Sequence, residues 1–349
     1  MQQGKHMAEK KKDKKTLFRA LFIAALIVFL GSGFMLLYEG VIEPAINRNT
    51  LDEYQQLYPG AQSSSSAPAS TSSNASVSSA VPSTSSAPVQ STPASSQAAS
   101  SKEPLPSTPL DTFAALLEKN KDTAGWLMMP GTELNNPVFY TPWDQNYYLK
   151  RNPDGSYNKY GSLYLSAGST LNPQAQVLVM YGHNLASDDL MFGELKKHTV
   201  LSFVQKHPTF TFDTIYRTGE WKIIAVCRAS TEELDKFTYS VNEYPSEKTF
   251  NAFVKEARLR SHFRIPDDVT SQDDLLVLST CGEVFFGERI VVVARRLRNG
   301  EHAADIHTSA YKLNDKMKWP EAYYALDYVN ATRYSDEETE QAYREFYGE

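Results

Sequence analysis

Apolar residues are distributed along this chain in two different ways. Residues 20–38 form one uncharged run, ALFIAALIVFLGSGFMLLY, whereas beyond Asp111 apolar residues come in short runs separated by Gly, Pro, Asn and Asp. The first pattern predicts a helix of about 28 Å, which matches a bilayer hydrocarbon core of about 30 Å. Gly31, Ser32 and Gly33 lie inside the run rather than at its end, which argues for a retained anchor over a cleaved signal peptide. The second pattern, with runs at 125–129, 162–165, 177–181, 209–212, 221–226, 275–278 and 289–294, predicts the short strands of a β-barrel or sandwich. Before them, Phe113, Leu116 and Leu117 recur at helical spacing. One long interval breaks the rhythm: over 246–260, Phe250, Phe253, Val254 and Ala257 fall on one helical face behind Ser246 as a cap. The expected fold is therefore mostly β, with an N-terminal helix and a second helix inserted late among the strands.

Composition divides the 349 residues further. Residues 1–19 carry seven Lys/Arg against Glu9 and Asp13, a local +5, so with a formal charge of −6 overall the rest carries −11. A basic head beside an apolar run keeps that end in the cytoplasm and sends the remainder outward. An acidic body with a short basic head is the wrong layout for a nucleic-acid binder. Residues 61–100 hold 17 Ser, 9 Ala, 4 Pro and 3 Thr and no charged or aromatic residue. Such a stretch cannot bury enough apolar surface to offset the entropy of ordering, and it reads as a flexible spacer spanning roughly 35 Å on average. The resulting division is a cytoplasmic head at 1–19, a transmembrane helix at 20–38, a juxtamembrane segment at 39–60 with a weak helical signal, a disordered linker at 61–110, a catalytic domain at 111–298 and an extension at 299–349. Residues 301–349 hold 11 Asp/Glu, 5 Lys/Arg and 7 of the 20 Tyr. A helical stretch is expected from Pro320 through Val329, and Ser335 with Glu338 reads as a capping box opening another to Tyr347.

Two cysteines, neither in a CxxC pair nor in a Cys/His cluster, exclude a disulfide scaffold and a zinc site; no metal or cofactor is expected. Cys281 ends the apolar run 275–280, Arg289 opens the next run, and His183 follows the run 177–181. Acyl transfer on cysteine needs a thiolate, a proton-carrying base and an oxyanion donor. All three candidates sit at ends of strands, where scaffolds present functional groups. Cys227, after 221–226, reads as a core residue.

Leu278-Ser279-Thr280-Cys281 with Arg289 eight residues on, and Tyr181-Gly182-His183-Asn184 upstream, resembles the class B sortases. Their pattern is a TLxTC strand carrying the nucleophile, a downstream Arg and an upstream His. Trp126 through Thr132, Pro137-Val138, Asn146 to Leu149 and Leu190 to Leu195 resemble further landmarks, and the likeness covers about 111–298. Val277 stands where the motif has Thr, and the Ser166 to Ser169 segment lacks a commonly found acidic residue. The resemblance implies a closed sortase β-barrel with a helix between strands six and seven. It also implies a membrane-anchored extracellular cysteine transpeptidase that cleaves an Asn-Pro-x-Thr-x or related motif of secreted proteins and joins it to a peptidoglycan amine. Cys281 would be the nucleophile, His183 the general acid and base, and Arg289 the oxyanion or backbone donor. Ser279, Thr280, Glu283 and Asn184 would border the substrate groove. Alternatives are a pilin-polymerising sortase using a pilin Lys and an inactive surface binding module on the same barrel. The Ser/Thr-His-Gly-Cys signature of L,D-transpeptidases is missing, and papain-like enzymes place Cys before His.

Overall fold

A computed structural model describes residues 2–64, 105–185, 190–232, 237–326 and 331–348. Most of the spacer, 65–104, lies outside the described residues. Eight strands close a barrel: β1 (Thr123–Met128), β2 (Asn135–Phe139), β3 (Leu163–Leu165), β4 (Val177–Tyr181), β5 (Thr209–Thr214), β6 (Glu220–Ser230), β8 (Leu275–Cys281) and β9 (Glu288–Arg296). Around the barrel they run β1-β2-β3-β4-β8-β9-β6-β5. A two-residue strand, β7 (Phe263–Arg264), lies outside the barrel and pairs with β10 (Lys312–Leu313). The barrel is therefore closed, as the resemblance implied, and the long helix α5 (Glu247–Arg260) sits between its sixth and seventh strands.

The runs on β4, β8 and β9 are unbroken rather than alternating because both faces are covered. Leu178, Met180, Leu276, Leu278, Val292 and Ala294 fill the barrel interior. Val177, Val179, Val277, Val291 and Val293 point outward and pack under Phe250, Phe253, Val254 and Ala257 of α5. Ser246 caps α5 as expected, in a reciprocal box with Thr249. β2 was not apparent in the hydrophobic pattern because Asn135, Asn136 and Pro137 interrupt it. Its parallel pairing with β3 begins only at Val138, so the missing N–H of Pro137 leaves no gap in that ladder.

The N-terminal run belongs to a continuous helical segment. Helix α1 (Gln2–Leu37) passes through a π-helical turn, Tyr38–Ile42, into α2 (Glu43–Leu57). The span Thr16–Leu57 is long and apolar enough to cross a membrane, and its apolar side chains from Leu17 to Tyr38 are exposed. The segment 43–61, which composition left outside the globular part, packs against the barrel. Pro44, Asn47, Leu51, Tyr54 and Tyr58 are buried, a stripe at alternating spacings of three and four. Tyr58 stacks on Trp126 at 4.8 Å and bonds Asp213; Tyr54 meets Phe139 edge-on at 6.2 Å. Burying Leu51, Tyr54 and Tyr58 is worth about 1.5–3 kcal/mol each against leaving them exposed.

In the extension, α6 (Asp336–Tyr347) starts at Ser335 with the expected capping box. It lies on α5 through Lys255–Glu340 at 2.6 Å and Arg258 over the Tyr347 ring at 4.4 Å. The helix expected from Pro320 through Val329 is instead a short 3-10 turn, Glu321–Ala325, while 327–330 lie outside the described residues. Besides its own backbone bonds, Tyr323 N–H to Pro320 O at 3.0 Å and Leu326 N–H to Tyr323 O at 3.1 Å, this turn is held by the Tyr323 ring against Trp319 at 4.7 Å.

Candidate active site

Strand parity sets the geometry. On β4 residues 177, 179 and 181 face outward, as do 275, 277 and 279 on β8 and 291 and 293 on β9. Continuing each alternation carries His183, Cys281 and Arg289 to the same outer face, beyond the end that α5 covers. Cys281 lies directly opposite Arg289 in the antiparallel β8–β9 register, a separation at which side chains interact. The strand end is closed by Gly282 N–H donating to Glu288 O at 2.9 Å. The turn then uses Gly287 at φ +85°, a conformation that favours glycine. Cys281 is exposed and reduced, while Cys227 is a buried free thiol. Cys227 donates to Ala257 O at 3.0 Å, and burial pushes that thiol well above its usual range.

His183 lies two residues past the last β4–β8 pair, Tyr181 with Ser279. The same parallel register carried forward sets His183 beside Cys281. Gly182, between Tyr181 and His183, packs against β3 and the 191–199 turn: a Cβ there would meet Leu163 at 2.5 Å and Phe192 at 2.8 Å. The His183 ring bonds the Leu149 backbone, and its Nε2 is buried without a protein partner. Burial is the larger influence and lowers its pKa; the Leu149 bond opposes it and the Lys150 charge adds to it. The imidazole is thereby held neutral at neutral pH, with one nitrogen available to exchange a proton.

The four remaining candidates divide. Asn184 Nδ2 donates to Cys281 O at 2.9 Å and to Glu283 Oε1 at 3.2 Å, so it ties the His183 segment to the end of β8. Glu283 is exposed, and its described contact is this one. Thr280 is buried and donates to Gly182 O at 2.8 Å. Ser279 is buried and donates to the Tyr239 hydroxyl at 3.0 Å. Both therefore fasten strand ends.

Three tyrosines missed by sequence reasoning complete the surroundings. Tyr164 pairs with Tyr181 across β3 and β4, their rings 5.5 Å apart. The phenols of Tyr164, Tyr181 and Tyr239 all feel the Arg289 charge, although burial is the larger influence and raises each pKa. Arg289 also bonds Tyr239, and its Nη1 donates to Glu288 O at 2.8 Å. Tyr181 and Tyr164 sit on outward positions; Tyr239 lies in the unpatterned stretch before α5. The assembled group has an exposed thiol, a neutral imidazole and a permanent cation with several donors. Nucleophilic acyl transfer needs these parts.

No family model matches the chain. It is 29% identical over 171 residues to sortase B of Listeria monocytogenes, covering 49% of this chain and 67% of the relative. It is 27% identical over 188 residues to sortase B of Staphylococcus aureus, covering 53% and 75%. These likenesses support a class B sortase. Among solved structures, a Staphylococcus aureus sortase B–substrate complex superposes with a TM-score of 0.50 at 26% identity, covering 55% of this chain and 87% of that one. In the present chain residues 43–61 are packed on the barrel and 299–326 and 331–348 follow it.

Proposed function

We propose that the protein is a cysteine transpeptidase that cleaves a sorting motif on secreted proteins and transfers the new carboxyl end to a cell-wall amine. It would act outside the cell membrane, anchored through residues 20–38 with its N-terminus in the cytoplasm. The observation that carries this reading is Cys281 facing Arg289 across two strand ends, with the His183 segment fastened alongside by Asn184.

In this reading Cys281 gives its thiol proton to His183 as its Sγ attacks the carbonyl of the motif's Thr, while Arg289 donates to the oxygen that gains charge. The peptide C–N bond breaks as His183 delivers a proton to the departing amine, leaving a thioester. The incoming amine attacks that carbonyl, gives a proton to His183 and expels the thiolate. A buried neutral imidazole suits both proton transfers, and a fixed guanidinium suits the oxyanion better than Lys does. A peptidoglycan cross-bridge amine is favoured over a pilin Lys because no segment before Trp126 resembles the Asp-Pro-aromatic lid of pilin-polymerising enzymes.

The test uses the full chain in detergent with sorting-motif peptides and each amine in turn. A peptide thioester on Cys281, seen by mass spectrometry, and its loss together with all cleavage in Cys281→Ala, are the expected results. Cleavage that survives this substitution removes the mechanism, and a barrel that binds peptide without cleaving it is a binding module. The amine found in the product distinguishes wall anchoring from pilin assembly.

A further inference from the structure

Both ends of the Ser-rich stretch are held by the same barrel. Before it, Tyr58 bonds Asp213, and Ala61 O accepts from Asn135 Nδ2 at 3.4 Å. After it, Pro106 O accepts from Asn172 Nδ2 at 3.0 Å, and Leu110 N–H donates to Ile215 O at 2.7 Å. The chain therefore reaches the barrel before it enters residues 65–104. The only covalent path from the apolar run to α2 is the five-residue turn Tyr38–Ile42.

A second observation fixes which surface lies nearest that run. Lys159 Nζ contacts Glu43 Oε2 at 2.8 Å and Glu39 O at 3.1 Å. The loop carrying Lys159 is thus within about one helical turn of Tyr38, roughly 5–8 Å along the axis. That is the depth of the polar headgroups beside a hydrocarbon core. The same loop exposes Tyr157, at 73% of its surface, and Arg151 bridges to Tyr157. Arg151 in turn covers the Tyr147 ring at 4.3 Å, and Tyr147 meets Trp143 at 5.1 Å. Trp143 is itself 67% exposed. Exposed Trp and Tyr set among Lys150, Arg151 and Lys159 are the side chains that favour a membrane interface and anionic headgroups.

We infer that the catalytic body is seated directly on the bilayer by α2, with the 143–159 surface against the lipid headgroups, and that residues 65–104 are an insertion in the body rather than its tether. This rests on the reading of residues 20–38 as a membrane span. The height of Cys281 above the membrane is then set by α2 docking and does not change with the length of the Ser-rich stretch.

The experiment uses the full chain in vesicles containing phosphatidylglycerol, with a site for a specific protease placed within 65–104. Before cleavage the protein should resist extraction by alkaline carbonate; extraction at this stage defeats the membrane-span reading itself. After cleavage, the fragment from residue 105 onward should sediment with the vesicles through a high-salt wash and leave them only in urea. Its release on cleavage under native conditions, with the uncleaved chain carbonate-resistant, overturns the inference. A second arm measures tryptophan emission with brominated lipid. Quenching in the parent chain that is lost in Trp143→Phe supports the lipid-facing surface; equal quenching in both, or none in either, overturns it.

Discussion

Asn184 joins two strand ends that no backbone ladder joins. β4 and β8 pair in parallel only as far as Tyr181 and Ser279, after which the Asn184 amide, with the weaker Gly182 N–H contact to Ser279 O at 3.4 Å, continues the connection to Cys281. A hydrogen bond of this kind is worth about 0.5–1.5 kcal/mol. Asn184→Ala is expected to lower kcat about tenfold with KM little changed, measured on a sorting-motif peptide, because the imidazole and thiol lose their register while the groove persists. That 183, 281 and 289 lie at strand ends was legible in the sequence, since each borders an apolar run; their shared face was not, because those runs are unbroken. The Tyr239 partnership with Ser279 and Arg289 was not, because Tyr239 comes from a stretch without period and meets them only through the fold.

At the scale of elements, the extension bears on the β8–β9 turn. Tyr323 bonds the buried Glu288 carboxylate, which also takes Arg228 at 2.7 Å and the Val284 N–H at 2.7 Å. The Tyr323 ring also meets Phe285 edge-on at 5.3 Å. Glu288 precedes Arg289, so a contact from the extension reaches the residue next to the proposed oxyanion donor. Tyr323→Phe removes one partner of a buried carboxylate, at a cost of about 1–3 kcal/mol. The expected outcome is a melting temperature lower by about 2–4 °C per kcal/mol, read by calorimetry. Truncation after Arg298 should lower both melting temperature and peptide cleavage, because it also strips α6 from α5 and removes β10. The capping boxes at Ser246 and Ser335 made both helix starts readable, since their hydrogen bonds are local. The 3-10 turn at Glu321–Ala325 was not readable as such, because its form follows from what Tyr323 touches.

For the whole molecule, acid should loosen the barrel through His198. This residue is 1% exposed, and burial lowers its pKa from 6.5 to about 4, against an opposing bond to the Leu195 backbone. Between those values the unfolded chain binds a proton that the folded one refuses, so stability rises with pH across this window. Stability is therefore lost as pH falls from about 6.5 toward 4, by up to about 1.4 kcal/mol per pH unit from this group. Urea midpoints at pH 7 and pH 4.5 check it: the parent chain should weaken more between them than His198→Gln does.

The sequence by itself determined the apolar run, the strand segments that carry the candidate residues, the inserted helix and the three strand-end residues. Each of these depends on neighbours close in the chain or on a simple period. Tertiary structure decided that β2 pairs despite Pro137, that Tyr164, Tyr181 and Tyr239 surround Arg289, and that residues 43–61 rest on the barrel. The last of these carried its own signal, a stripe from Pro44 to Tyr58, but its meaning depended on a partner surface formed by Phe113, Trp126 and Phe139 from beyond the Ser-rich stretch. An amphipathic stripe records that a face will be buried; only the folded chain supplies what buries it.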